Sequence, residues 1–256
     1  MPTSLQSLLL ASIVAFSVVH SSLAQPNREA QIEHYIAVFS SGADQYEEVA
    51  AACQQLQWLG LTDPRMFDVA ERRLLALYKT VDSRDYATIL SWQAKALAYS
   101  GQEKYRSTLT EVAMHAKDKR VRKHASTSLS ILDDYSKWQP LIADTSGYRP
   151  DQSEPINRYA AMLKTRSKEL QGLAARRIIV EQLDNTYLLD LLQDQIEPEL
   201  LHHWRDRRDA NAVAHMLKAL AMFGKPEYRA TIEKAANHAG TNRIRKYAKS
   251  YLSDYY

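Results

Sequence analysis

Lys95-Ala96-Leu97-Ala98-Tyr99-Ser100-Gly101 returns 123 residues later as Lys218-Ala219-Leu220-Ala221-Met222-Phe223-Gly224, without a gap. The match runs on in the same register. Tyr105-Arg106-x-Thr108 meets Tyr228-Arg229-x-Thr231, and Ala113-x-His115-Ala116 meets Ala236-x-His238-Ala239. Arg120-x-Arg122-Lys123-x-Ala125 meets Arg243-x-Arg245-Lys246-x-Ala248, with Leu129 on Leu252. A shared taste for helix formers does not place Gly, Tyr, His and Arg in one register, so the chain carries an internal duplication. Upstream the offset drifts: Ala52, Leu61 and Asp68 match Ala174, Leu183 and Asp190 at 122, while Ile32 and Tyr35 match Ile156 and Tyr159 at 124. One-residue changes at two loops account for it.

The duplication divides the mature chain into one unit at residues 25–134 and a second at 156–256, joined by a linker at 135–155. That joint holds Pro140, Gly147, Pro150 and Pro155, which break helical periodicity. Only 7 Gly and 8 Pro punctuate 256 residues, too few for the tight turns of a sheet-rich fold. With 45% hydrophobic and 25% charged residues, the composition excludes collagen-like, coil-only and disordered chains and leaves an all-α protein. Within each unit the breaks come at helix lengths. Gly42, Gly60, Gly101, Gly224 and Gly240 follow apolar-periodic runs, where a left-handed cap ends a helix. Asp63-Pro64 and Lys225-Pro226 place proline at a first helical position, where its missing N–H is harmless. Six helices per copy follow, so three helical hairpins per copy and about twelve helices in all.

Asp118-x-Arg120-Val121-Arg122-x-x-Ala125-x-x-x-Leu129 resembles the second helix of a HEAT or armadillo-type repeat: an acidic loop residue, Val-Arg, small residues, then Leu. Arg243-Ile244-Arg245-x-x-Ala248-x-x-x-Leu252 is similar, although Thr241-Asn242 stands where Asp is expected, and Leu170 to Arg177 matches more loosely. The resemblance implies an α-solenoid of stacked hairpins with a concave surface, and it implies no particular activity.

Met1 to Ala24 contain no Asp, Glu, Lys or Arg, and Leu8 to Val19 form a 12-residue apolar stretch, too short to span a bilayer. Ser22-Leu23-Ala24 offers the small residues read by signal peptidase, so residues 1–24 read as a signal peptide and the mature chain begins at Gln25. The alternative is an uncleaved anchor. The expected location is therefore exported, periplasmic or secreted, with no membrane span after cleavage. Cys53, the lone cysteine, cannot form an intramolecular disulfide and reads as a small buried hydrophobe. A nucleophile or an intermolecular bridge is the alternative.

Candidate chemistry is sparse. His202-His203-Trp204-Arg205-Asp206, with Glu197, Glu199 and His215 nearby, is the densest cluster of functional side chains. Adjacent histidines diverge by about 100° on a helix, so the cluster reads as a capped helix end and not a metal site. His115 and His238 occupy matched places, which favours a structural role bonding carbonyls at a helix C-terminus. Nucleophile elbows, phosphate loops and dinucleotide fingerprints are absent, so neither a catalytic group nor a cofactor is expected. The basic loops stand out more: Lys117 to Lys123 holds five basic residues against Asp118, and Arg243 to Lys249 holds four against none. On the helical wheel Arg122 and Arg245 border the buried face and should reach a carboxylate or carbonyl of a neighbouring helix. Arg120, Lys123, Arg243 and Lys246 are the candidate binding residues for an acidic partner; ties between repeats are the competing role for such arginines. A net charge of +3 is not the footprint of a dedicated nucleic-acid binder. The first expectation is an exported, non-catalytic scaffold for protein–protein interaction. An envelope-polymer enzyme using Glu197, His202, His203 and Asp206 is the second, and a HEAT-like nucleic-acid binder, which the leader argues against, is the third.

Overall fold

The computed structural model describes residues 28–256; the expected signal peptide lies outside the described residues. Among these are twelve α-helices and no strand: α1 (Arg28–Ser40), α2 (Tyr46–Gln55), α3 (Pro64–Leu77), α4 (Arg84–Tyr99), α5 (Arg106–His115), α6 (Lys119–Ala143), α7 (Glu154–Leu163), α8 (Lys168–Glu181), α9 (Thr186–Ile196), α10 (Arg207–Ala221), α11 (Pro226–His238) and α12 (Asn242–Tyr255). The protein is all-α. No described helix is long and apolar enough to cross a membrane. Helix starts follow the side chains that satisfy free backbone N–H groups. Asp63 accepts from Arg65 N at α3, Asp118 from Arg120 N and Val121 N at α6, and Asp206 from Arg208 N at α10.

Consecutive helices pair as hairpins, α1 with α2 through to α11 with α12, and the pairs then stack in two layers. Odd helices meet odd ones, α1 on α3, α3 on α5 and α7 on α9. Even helices meet even ones, with α4 between α2 and α6 and α10 between α8 and α12. The halves join where α6 packs on α7. Across the same junction the Arg177 guanidinium lies 4.0 Å from the Trp58 ring centroid. Phe39, Phe67, Leu90, Leu97, Leu109 and Leu132 are fully buried in the first half, as are Leu170, Leu192, Leu217, Leu220 and Ile232 in the second. Cys53 is buried too, and burial pushes its thiol up, so it packs as a small hydrophobe.

The duplicated residues are the ties between hairpins. The Tyr105 hydroxyl donates to Asp68 at 2.6 Å and the Tyr228 hydroxyl to Asp190 at 2.8 Å, linking α3 to the α5 start and α9 to α11. Gly101 and Gly224 end α4 and α10 at φ +67° and +60°, in the left-handed region that a Cβ disfavours. Arg122 donates to the carbonyls of Ala116 at 2.5 Å and Lys117 at 2.8 Å. Its counterpart Arg245 donates to the Ala239 carbonyl and the Asn242 side chain. Both arginines therefore close the end of the preceding helix, as their place on the wheel predicts. Arg122→Ala should cost about 1–2 kcal/mol, because it strips partners from partly buried carbonyls. Arg245→Ala should cost a similar amount, and urea denaturation of each variant measures it. Unchanged midpoints would remove this role.

Two local expectations fail, and a third feature had no expectation attached to it. The linker expected at 135–155 is helical as far as Ala143, because α6 runs through Pro140. Pro140 is exposed, while Tyr135, Gln139 and Ile142 keep the helical period on the buried face. Gln139 Nε2 also donates to the Tyr99 carbonyl at 2.5 Å, and this anchoring outweighs the missing backbone bond. What remains of the joint is pinned, since Asn157 accepts from Arg149 N at 2.7 Å and donates to the Arg149 carbonyl at 2.8 Å. Secondly, Gly42 and Gly240 are not left-handed caps. Gly42 is extended at φ −73°, and Gly240 is fixed by proximity, donating to the Leu200 carbonyl at 2.8 Å. Thirdly, α8 ends in a left-handed residue without glycine, at Gln182 with φ 50°.

Candidate functional site

A groove runs along the even-helix face and is built from both halves. Its first part, a cavity of about 350 Å³, lies at the junction between α4 and α6 on one side and α8 and α10 on the other. Tyr99, Tyr135 and Trp138 form the aromatic wall. Opposite them stand Glu169, Arg176, Arg208, Asn211 and His215, with Asp134 on α6. The Tyr99–Tyr135 and Tyr135–Trp138 ring centroids are 5.0 and 5.3 Å apart, so the wall is a contiguous aromatic cluster. The floor is thin, since Gly172 of α8 lies directly against Ala212 of α10.

The second part, also about 350 Å³, continues across α8, α10 and α12 and shares Arg176, Asn211 and His215 with the first. It adds Ile179, Val180, Ala214, Lys218, Tyr247 and Tyr251, and no carboxylate lines it. Tyr247 and Tyr251 are stacked at 6.2 Å and 11°, as residues four apart on one helix stripe can be. Val180 is 66% exposed, an apolar side chain held in the open.

The electrostatics differ along the groove. At the junction, burial raises the Asp209 carboxyl and nearby Glu169 raises it further. Arg208 is held as a cation first by Asp206, then by Glu169. Toward α12 the field is positive. Burial lowers the His215 imidazole, and the charges of Arg176 and Lys218 lower it further, against a backbone bond at Asn211. Among the described residues no carboxylate lies within 4.0 Å of the Arg176 guanidinium or the Lys218 ammonium.

The residues singled out in the sequence fall elsewhere or at the rim. Lys123 and Lys246 are exposed and have no carboxylate within 4.0 Å among the described residues. Arg120 is instead paired with the Asp118 cap at 3.2 Å, and Arg243 leans on the Tyr247 ring at 5.6 Å. Lys123 faces its own cluster: burial lowers His124, as do Lys95 and Lys123 beside it. His115 does not bond carbonyls. It sits 3.7 Å from Glu111, and Arg122 takes the carbonyl of Ala116. Arg245 does the same for Ala239 beside His238.

The His202–Asp206 cluster is not on a helix but in the α9–α10 connection, where its side chains hold loops together. His203 Nδ1 is 2.8 Å from the Gly240 carbonyl, Trp204 N donates to Thr241 at 2.9 Å, and Asp206 caps α10. Glu197 accepts from Thr231 at 2.9 Å, and Glu199 pairs with Lys168 at 2.9 Å. No group of three or more His, Cys, Asp or Glu among the described residues is placed to hold a metal ion. The groove itself was missed in the sequence. Its one local signal is the Tyr247-Tyr251-Tyr255 spacing, a stripe beside the buried Ile244 and Ala248. No protein-family model matches the chain, and no curated protein matches it.

Proposed function

We propose that this protein is an exported helical-repeat scaffold, an α-solenoid of the HEAT kind, that binds another protein along its even-helix face. The observation that carries the reading is the groove shared by both halves, lined by buried and half-buried aromatic side chains and by Arg176 and Lys218, which have no carboxylate within 4.0 Å among the described residues. Two-layer stacking of hairpins and the paired Arg122 and Arg245 closures support the repeat architecture. Exposed Lys123 and Lys246, each with an arginine three residues before it, add positive charge outside the groove and attract an acidic partner from a distance. Export rests on the apolar stretch and on Ser22-Leu23-Ala24. The His203 and Asp206 side chains serve loop and cap contacts, and the His202 ring lies 4.3 Å from the Trp204 ring, which favours a structural role for the cluster over the enzyme reading.

A photo-reactive side chain tests the proposal directly. Placed at Val180 in the groove, it should cross-link one discrete protein in the source cells; placed at Met114, exposed on α5, it should not. The protein recovered in that experiment should begin at Gln25. Equal adducts from both positions, or none from Val180, would remove the groove as the binding face.

A further inference from the structure

Resting on that reading of the even-helix face, we infer that the α8–α10–α12 part of the groove holds an extended acidic segment of the partner, whose groove-facing side chains, every second residue, alternate carboxylate and apolar. Arg176 and Lys218 receive the carboxylates. Val180, Ile179 and the Tyr247–Tyr251 stack receive the apolar groups.

Charge decides the sign of the ligand. Both cations project from helix sides into a cavity that no carboxylate lines, and neither has a carboxylate within 4.0 Å among the described residues, although Arg176 also borders the junction where Asp134 and Glu169 stand. Burial opposes protonation of His215 in the same wall, and the charges of Arg176 and Lys218 oppose it further. A cationic segment would meet the same field and be repelled.

Spacing decides the class of anion. Three packed helices at about 8–10 Å between axes give a groove about 20 Å long. An extended peptide rises about 3.3 Å per residue, so about six residues cross it and about three side chains face the floor. Two cations and an apolar wall suit that count. A nucleic-acid strand, with a charge about every 3.4 Å, would bring about six phosphates to the same two cations. It would also bury phosphates against Val180 and Ile179. Beyond Arg176 the junction presents Asp134 and Glu169, which repel a continuing polyanion and so limit the acidic tract to the α8–α12 end.

Fluorescence anisotropy with the purified full mature chain tests the inference, using a labelled Glu-Leu octapeptide, Glu-Ser-Leu-Ser-Glu-Ser-Leu-Ser, which turns both kinds of side chain to one face. It should bind at low salt, and its affinity should fall at least about tenfold in the Arg176→Gln Lys218→Gln double variant. The Lys-Leu octapeptide, with Lys at both Glu positions, and a single-stranded oligothymidine should bind at least about tenfold more weakly than the Glu-Leu peptide. Melting of the double variant should match the parent, since neither side chain has a carboxylate partner to lose. Equal binding of the Lys-Leu peptide, tighter binding of the oligothymidine, or Glu-Leu binding that survives the double variant but is lost in Lys123→Glu Lys246→Glu would overturn the inference. If Val180 cross-links a discrete protein while the Glu-Leu peptide fails to bind, the acidic class is wrong and the binding face stands. Failure of the cross-link removes the face itself.

Discussion

Tyr105→Ala should lower the stability of the folded chain by about 4 kcal/mol, and Tyr228→Ala by a similar amount. Each ring is among the largest fully buried side chains, and each hydroxyl binds a carboxylate one hairpin away, Asp68 or Asp190. Alanine opens a ring-sized cavity in a core that relaxes only partly. Phenylalanine fills that space and loses only the hydroxyl bond, so Tyr105→Phe should cost about 1–2 kcal/mol. Asp68 remains half exposed and keeps Lys104 at 2.6 Å, which limits the penalty. The halves meet at α6 and α7 and through Arg177 and Trp58, so either lesion should move a single unfolding transition. Urea denaturation of the three variants reports the ordering. If phenylalanine costs as much as alanine, cavity formation is not what the ring prevents.

The same tie shows why the architecture was legible in the sequence. Tyr105 and Tyr228, Gly101 and Gly224, and Arg122 and Arg245 recur because each makes one contact that the hairpin stack requires at one place per copy. Helix starts were legible for a similar reason, since Asp63 and Asp118 cap through bonds to residues two or three further on. Failures came where distant packing overrides a local rule. Pro140 reads as a break, but Gln139 and Tyr135 are fastened to Tyr99 and Gln57, which no local pattern announces. His115 and His238 read as helix closures because imidazoles suit carbonyls; the arginines six residues after Ala116 and Ala239 reach those carbonyls instead.

The groove was illegible on different grounds. Its walls come from α4, α6, α8, α10 and α12, and apart from the Tyr247–Tyr251 spacing no single pattern joins residues drawn from five helices. Arg176 lies beside Arg177 in a stretch whose pattern concerns packing, yet one guanidinium faces the groove and the other lies over Trp58. A helix turns about 100° per residue, so neighbours in sequence are separated in role. Repetition in the sequence therefore reports what holds the hairpins together. The groove draws on both kinds of position: Lys218 repeats Lys95, whereas His215 stands where the first copy has Trp92.

Gly172 carries this distinction to an experiment, because it lies beneath the groove where α8 crosses α10. A Cβ built on it falls 2.7 Å from the Ala212 Cβ and 2.9 Å from the Ala212 Cα. Both atoms belong to a helix backbone or hang directly from it, so neither can swing aside. Restoring ordinary carbon contacts of about 3.5–4.0 Å requires the helices to separate by about 1 Å. In an open helix interior Gly→Ala would stabilise by about 1 kcal/mol. Here the crowding should win, so Gly172→Ala should be destabilising by about 1 kcal/mol net and Gly172→Val by about 3 kcal/mol. Gly147 gives the opposite sign: a Cβ there meets nothing within 4 Å, and Gly147→Ala should be neutral or slightly stabilising. Ala212→Gly removes the facing methyl, so the Gly172→Ala Ala212→Gly double variant should recover more stability than the two single changes predict by addition. Thermal and urea unfolding of the set decide it. A Gly172→Ala variant at least as stable as the parent would show that α8 and α10 do not approach this closely, and the floor of the groove would have to lie deeper.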